Sequence, residues 1–146
     1  MTTTNNYMEL KVSSNSQNES FCRVVVAAFV SRIDPTIEEI NDVKTAVSEA
    51  VTNSTIHGYP DEIGEIKIIA KIEDDELFLE IQDYGVGISN LNKVKEPLYT
   101  TRPELERSGM GFTIMENFMD SVEITSNLNQ GTTVRMKKKF SSSIKE

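Results

Sequence analysis

Apolar positions along the chain follow two periods, and the switches between them mark out its elements. Residues 7–13, YMELKVS, alternate apolar and polar, which predicts a half-buried strand. From Asn18 to Ile33 the spacing changes to threes and fours, which predicts a helix. Phe21, Val24, Val25, Ala28 and Phe29 form its expected core stripe, while Val26, Ala27 and Val30 make a second side apolar. Two readings follow: a helix buried on most sides, or one with a second face for a subunit or partner. Asp34-Pro35 interrupts the pattern, and a second helix restarts at Thr36. Thr36 is the expected cap, with Glu39 three residues on completing a capping box. Ile40, Val43, Val47, Ala50 and Val51 give this helix its stripe, and Gly58 and Pro60 end it.

Beyond Pro60 the period returns to two. EIKIIAKIE (65–73) and ELFLEIQD (76–83) alternate clearly and meet at a turn around Asp74-Asp75. Ile66, Ile68, Ala70 and Ile72 share one face with Leu77, Leu79 and Ile81. From about Gly85 to Ser108 no period holds, and Pro97 and Pro103 lie within. An irregular stretch this long is uncommon in a compact domain and often functional. A short helix is predicted from about Met110 to Met119, with Phe112, Met115, Phe118 and Met119 inward. Two last strands, near Ser121–Ser126 and Thr132–Phe140, meet at a turn over 127–131. Strands joined as hairpins predict an α+β fold: a two-layer α/β sandwich, its sheet mixed but mostly antiparallel, with helices on one face and a lid-like loop. Residues 1–140 read as one domain and 141–146, SSSIKE, as a flexible tail.

Composition narrows the function classes. With 146 residues, 38% hydrophobic and 26% charged, the chain has the make-up of a folded soluble domain. A formal net charge of −8 disfavours nucleic acid, whose phosphates need a basic footprint, and favours partners cationic on one face. Cys22 is the single cysteine, so no internal disulfide forms. It lies in an apolar run, as a small core residue would, and suits a reducing cytoplasm. No stretch approaches the 18 apolar residues of a membrane span, and the first residues lack the pattern of a secretion signal.

Four features carry candidate chemistry. Asp83 continues the inward period of Leu77, Leu79 and Ile81, where a carboxylate is costly without donors. It either turns out to cap the next turn or meets a donor supplied by a ligand, such as the exocyclic amino group of a purine. DYGVGIS (83–89) places Gly85 and Gly87 after that strand, as an ordinary turn or as a close approach to a ligand. In RSGMGF (107–112), Gly109 and Gly111 open a helix, where free N–H groups and the dipole favour phosphate. In SEAVTNSTIHGY (48–59), Glu49 and Asn53 stand four apart on one helical face. That face is either solvated, or it sets an amide oxygen toward a hard cation such as Mg²⁺ with a general base one turn away. His57 continues the stripe and reads as a surface or packing residue.

The order of these features is more specific than any one of them. Glu-x₃-Asn on a helix, Asp-x-Gly-x-Gly after a strand, a lid, Gly-x-Gly opening a helix, and GTT before the last strand span almost the whole chain. This resembles the ATP-binding module of the gyrase, chaperone, histidine-kinase and MutL superfamily, and looks closest to its short anti-sigma factor serine kinases. The resemblance implies Glu49 as catalytic base, Asn53 as Mg²⁺ ligand and Asp83 as the carboxylate that meets the adenine amino group, with Thr132 beside it. It implies Gly85 and Gly87 as a first glycine box, and Gly109, Met110, Gly111 and Phe112 as a second that meets the phosphates of ATP or ADP. Thr100, Thr101, Arg107 and Ser108 would line the lid. The implied activity is two-sided: a homodimer holds a sporulation sigma factor inactive and phosphorylates a serine of its anti-anti-sigma antagonist. A histidine protein kinase is disfavoured, because the only histidine is His57, inside the implied site.

Overall fold

A computed structural model of the chain describes residues 5–87 and 111–141. Five strands and three helices follow in order: β1 (Asn6–Ser13), α1 (Asn18–Val30), α2 (Ile37–Asn53), β2 (Glu65–Glu73), β3 (Glu76–Asp83), α3 (Gly111–Phe118), β4 (Ser121–Asn127) and β5 (Gly131–Lys139). A 3₁₀ turn (Ser31–Ile33) extends α1, and a π-helical turn (Ser54–Gly58) extends α2. Residues 88–108 of the expected lid lie outside the described residues.

The sheet order is β1-β2-β3-β5-β4, and every hydrogen-bonded pairing among the described residues is antiparallel. No parallel pair exists there to make the sheet mixed. β3 and β4 run in the same direction, but β5 inserts between them and pairs antiparallel with both.

Alternation along the strands sorts the two faces. Inward rows run straight across the sheet: Ile68, Ile81, Val134 and Ile124 form one, and Ala70, Leu79, Met136 and Val122 the next. All but the half-buried Val122 are buried. The outward rows are charged; there Lys71 and Lys137 flank the Phe78 ring from the two neighbouring strands, 5.8 and 5.9 Å from its centroid. The helices cover the inward face, with α2 between α1 and α3. Val43, Ala46, Val47, Ala50 and Val51 of α2 are all buried there.

Two expectations need correction. The core stripe of α1 is Cys22, Val26, Phe29 and Val30, whereas Phe21 and Val24 are 50% and 58% exposed. With two sides of the helix apolar, spacing alone fits either phase, and packing against α2 selects one. Phe118 sits at the rim, because Met115 and Met119, four apart, take the inward positions of α3. Cys22 is buried as expected, and burial pushes its thiol up to about 11, leaving it unreactive.

The predicted capping box is present. Thr36 Oγ1 accepts from the Glu39 N–H at 3.0 Å, and Glu39 Oε1 accepts from the Thr36 N–H at 2.9 Å. The other Glu39 oxygen also accepts from the N–H and hydroxyl of Ser141, which ties the end of the described chain to the start of α2. No helix among the described residues is long and apolar enough to cross a membrane.

Candidate functional site

Asp83 is the last residue of β3 and points inward, 5% exposed. Its inward row differs from the apolar rows beside it. Thr132 lies directly opposite on β5, and Ser126 opposite Thr132 on β4. One carboxylate and two hydroxyls therefore line up at the end of the sheet where the Gly85–Gly87 segment begins.

Three protein donors meet the Asp83 carboxylate. Oδ1 accepts from the backbone N–H groups of Gly85 (3.0 Å) and Thr132 (3.3 Å). Oδ2 accepts from the Ser54 hydroxyl at 2.9 Å. Burial pushes the carboxyl above the usual aspartate range, and these hydrogen bonds pull it part of the way back. Asp83 thus both points to the core and caps the following turn. An ionised carboxylate has about four lone-pair positions. The one left on Oδ2 fits a ligand amino group.

The π turn makes this packing possible. Inserting one extra residue per turn lets the chain pass directly against Asp83. A Cβ on Gly58 would lie 2.9 Å from the Asp83 carboxylate, and one on Gly85 would collide with the Gly58 carbonyl. That carbonyl instead accepts from the Val86 N–H at 2.9 Å. Gly87 completes the box with φ of 78°, a conformation open to glycine. The Val86 carbonyl accepts from the Asn129 N–H at 2.7 Å, so the β4–β5 turn closes over the box.

Tyr59, 5% exposed, locks the other side. Its hydroxyl donates to the Glu65 carbonyl at 2.6 Å and accepts from the Tyr84 N–H at 2.7 Å. Burial raises its phenol above the usual tyrosine value. Ser54, Gly58 and Tyr59 therefore shape the site, though the pattern reading assigned none of them a role there. For Ser54 the signal was present: it continues the Val43, Val47, Ala50 stripe, a hydroxyl where apolar residues belong.

Glu49 and Asn53 occupy the last turns of α2, both half-buried, and lead directly into the π turn. The wider turn rotates His57 out of the α-helical phase of that stripe. Gly111 is the first residue of α3, which packs against α2. The Phe112 ring is buried in the core, so a ligand contact there falls to its backbone. Asp83, Gly85 and Thr132 come together around the turn that follows Asn53, and Gly87 lies against Asn127 at the β4–β5 turn. Thr100, Thr101, Arg107, Ser108, Gly109 and Met110 lie outside the described residues. The described residues hold no group of three or more histidine, cysteine or acidic side chains able to bind a metal. Mg²⁺ asks for less than that. It usually keeps several waters, takes one or two protein oxygens and shares the ligand's phosphates, which one amide oxygen at Asn53 fits.

Comparison with known proteins places this geometry. A family model described as a histidine kinase-like ATPase domain matches residues 12–138. An anti-sigma F factor from Clostridium acetobutylicum is 60% identical over 135 residues, covering 92% of this chain and 94% of that protein. One from Clostridium botulinum (strain Eklund 17B) is 62% identical over 136 residues, covering 92% and 95%. One from Geobacillus thermodenitrificans is 57% identical over 139 residues, covering 94% and 95%. The chain therefore belongs to the histidine kinase-like ATPase family, and within it to the family of the anti-sigma F factors. The fold is also that of the crystal structure of the RsbU and RsbW domains of Rv1364c from Mycobacterium tuberculosis. That match has a TM-score of 0.68 at 17% identity and covers 92% of this chain and 32% of that one.

Proposed function

We propose that this chain is an ATP-dependent protein serine kinase and anti-sigma factor of the cytoplasm. In this reading residues 1–140 act as one unit that binds a sporulation sigma factor of the F type. The unit transfers the γ-phosphoryl group of Mg-ATP to a serine of the anti-anti-sigma antagonist. The observation that carries the nucleotide part is Asp83, buried and held by three protein donors, with acceptor capacity left on Oδ2. A purine amino group is the donor that suits it. The sigma factor comes from the names of the relatives, and the antagonist from the resemblance to the anti-sigma factor serine kinases.

Each residue then has a task. Asp83 and Thr132 hold the base, Gly85 and Gly87 let backbone approach it, and the N-terminus of α3 from Gly111 receives phosphate oxygens. Asn53 would hold Mg²⁺, whose charge offsets that of the phosphates. Glu49, one turn before Asn53, takes the proton of the attacking serine. The serine oxygen bonds to the γ-phosphorus, the bond to the bridging oxygen breaks, and ADP leaves. Positioning and electrostatics carry most of such a transfer. Two copies would pair through the outward side of α1, where Phe21 and Val24 are exposed.

The test is a kinase assay with a candidate anti-anti-sigma protein, read by mass spectrometry. One added phosphate on a serine is the expected result. Nucleotide binding with no transfer would instead mark a nucleotide-dependent binding module.

A further inference from the structure

The polar row at the end of the sheet contains a hydroxyl whose direction is set by its neighbours. Ser126 Oγ donates to the Gly131 carbonyl at 3.1 Å. It also lies 2.8 Å from Thr132 Oγ1, a contact in which either oxygen alone could donate. Ser126 has a single hydroxyl proton. With that proton on the Gly131 carbonyl, the Ser126–Thr132 contact is made by the Thr132 proton. Thr132 then turns lone pairs, not a proton, toward the ligand side. The Thr132 N–H is meanwhile spent on Asp83 Oδ1, and Ser54 points its own proton at Asp83 Oδ2. The edge of the site formed by Asp83 and Thr132 thus presents acceptors.

We infer that Ser126 is a specificity-positioning residue: by fixing the Thr132 hydroxyl as an acceptor, it makes the site reject a purine with a carbonyl in place of the 6-amino group. This rests on the nucleotide reading above. An amino edge meets acceptors and is held. The carbonyl oxygen itself meets oxygen lone pairs and gains no hydrogen bond from them, even though the N1–H beside it can donate, so that oxygen is left unpaired. Without Ser126, the Thr132 hydroxyl is free to rotate and donate to the carbonyl, so the rejection weakens.

The experiment compares ATP with inosine triphosphate, which carries a carbonyl at the position of the adenine amino group, by calorimetry on the full chain. The wild-type protein is expected to bind ATP more tightly. In Ser126→Ala the ATP preference is expected to fall roughly 3- to 10-fold, the range of one neutral hydrogen bond. The change is expected to come from tighter inosine triphosphate binding, with ATP little altered. Ser126→Cys, whose sulfur is a weak acceptor, is expected to shift the same way, and Ser126→Thr to keep the wild-type ratio. An unchanged ratio in Ser126→Ala, a fall that comes only from weaker ATP binding, or no ATP preference in the wild type would overturn the inference. Wild-type protein that bound neither nucleotide would overturn the nucleotide reading itself, and the inference with it.

Discussion

The Ser54 hydroxyl donates 2.9 Å to Oδ2 of Asp83, joining the end of α2 to the end of β3 across 29 positions of sequence. Both side chains are buried, so the bond fixes the rotamer of the one carboxylate on the inward face of β3. Ser54→Ala removes that donor and leaves a buried oxygen with one partner fewer. The expected cost is about 1–2 kcal/mol of unfolding free energy by urea titration. ATP affinity is expected to drop several-fold with it, since the remaining acceptor is no longer aimed.

Asp83 gives a pH dependence whose sign follows from burial. Its carboxyl titrates above the usual aspartate range because burial disfavours the charged form. The charged form therefore costs stability, in full above the raised value, and this cost disappears as the pH falls below the unfolded value. Binding has the opposite slope, because a ligand amino group needs the ionised acceptor. ATP affinity is expected to decline as pH falls through the raised range. Asp83→Asn is expected to bind ATP at least about tenfold more weakly at neutral pH, because an amide offers one uncharged acceptor. It is also expected to flatten the pH profile. Calorimetry across pH on both proteins checks this.

The capping box lies at the far end of α2, about 25 Å from Asn53 by helical rise. Thr36→Ala removes one half of it and is expected to cost about 1 kcal/mol in urea. The ATP dissociation constant is expected to stay unchanged, which separates stability at this end from binding at the other.

A homodimer through the outward side of α1 predicts that Phe21→Glu weakens self-association. Sedimentation is expected to show dimer for the wild type and monomer for the variant at the same concentration, with α2 and the site intact. Phe21 is half exposed, so the substitution leaves the core undisturbed.

Much of the fold was legible because strand alternation is strict. The inward positions of β2 and β3 are buried as the period required, Asp83 included. The capping box was legible too, since both halves lie within four residues. The phase of α1 was not, because an apolar pattern on two sides does not say which side meets α2. The π turn was also hidden. Its residues, Ser54–Gly58, continue a helical spacing in sequence, and the extra residue in the turn shows only in the structure, where Gly58 packs against Asp83. Of the site, Asp83 was readable from its position in a period. Ser54 stands out as a hydroxyl in an apolar stripe, but its task, like that of Ser126, comes from partners 29 and 6 positions away.

Glu49 carries the central claim, and the rate of phosphate transfer from labelled ATP to the antagonist serine tests it most directly. Glu49→Ala is expected to bind ATP as the wild type does and to transfer phosphate about 10²- to 10⁴-fold more slowly, the usual contribution of a general base. Transfer at the wild-type rate by Glu49→Ala would contradict the assignment of this residue as the base.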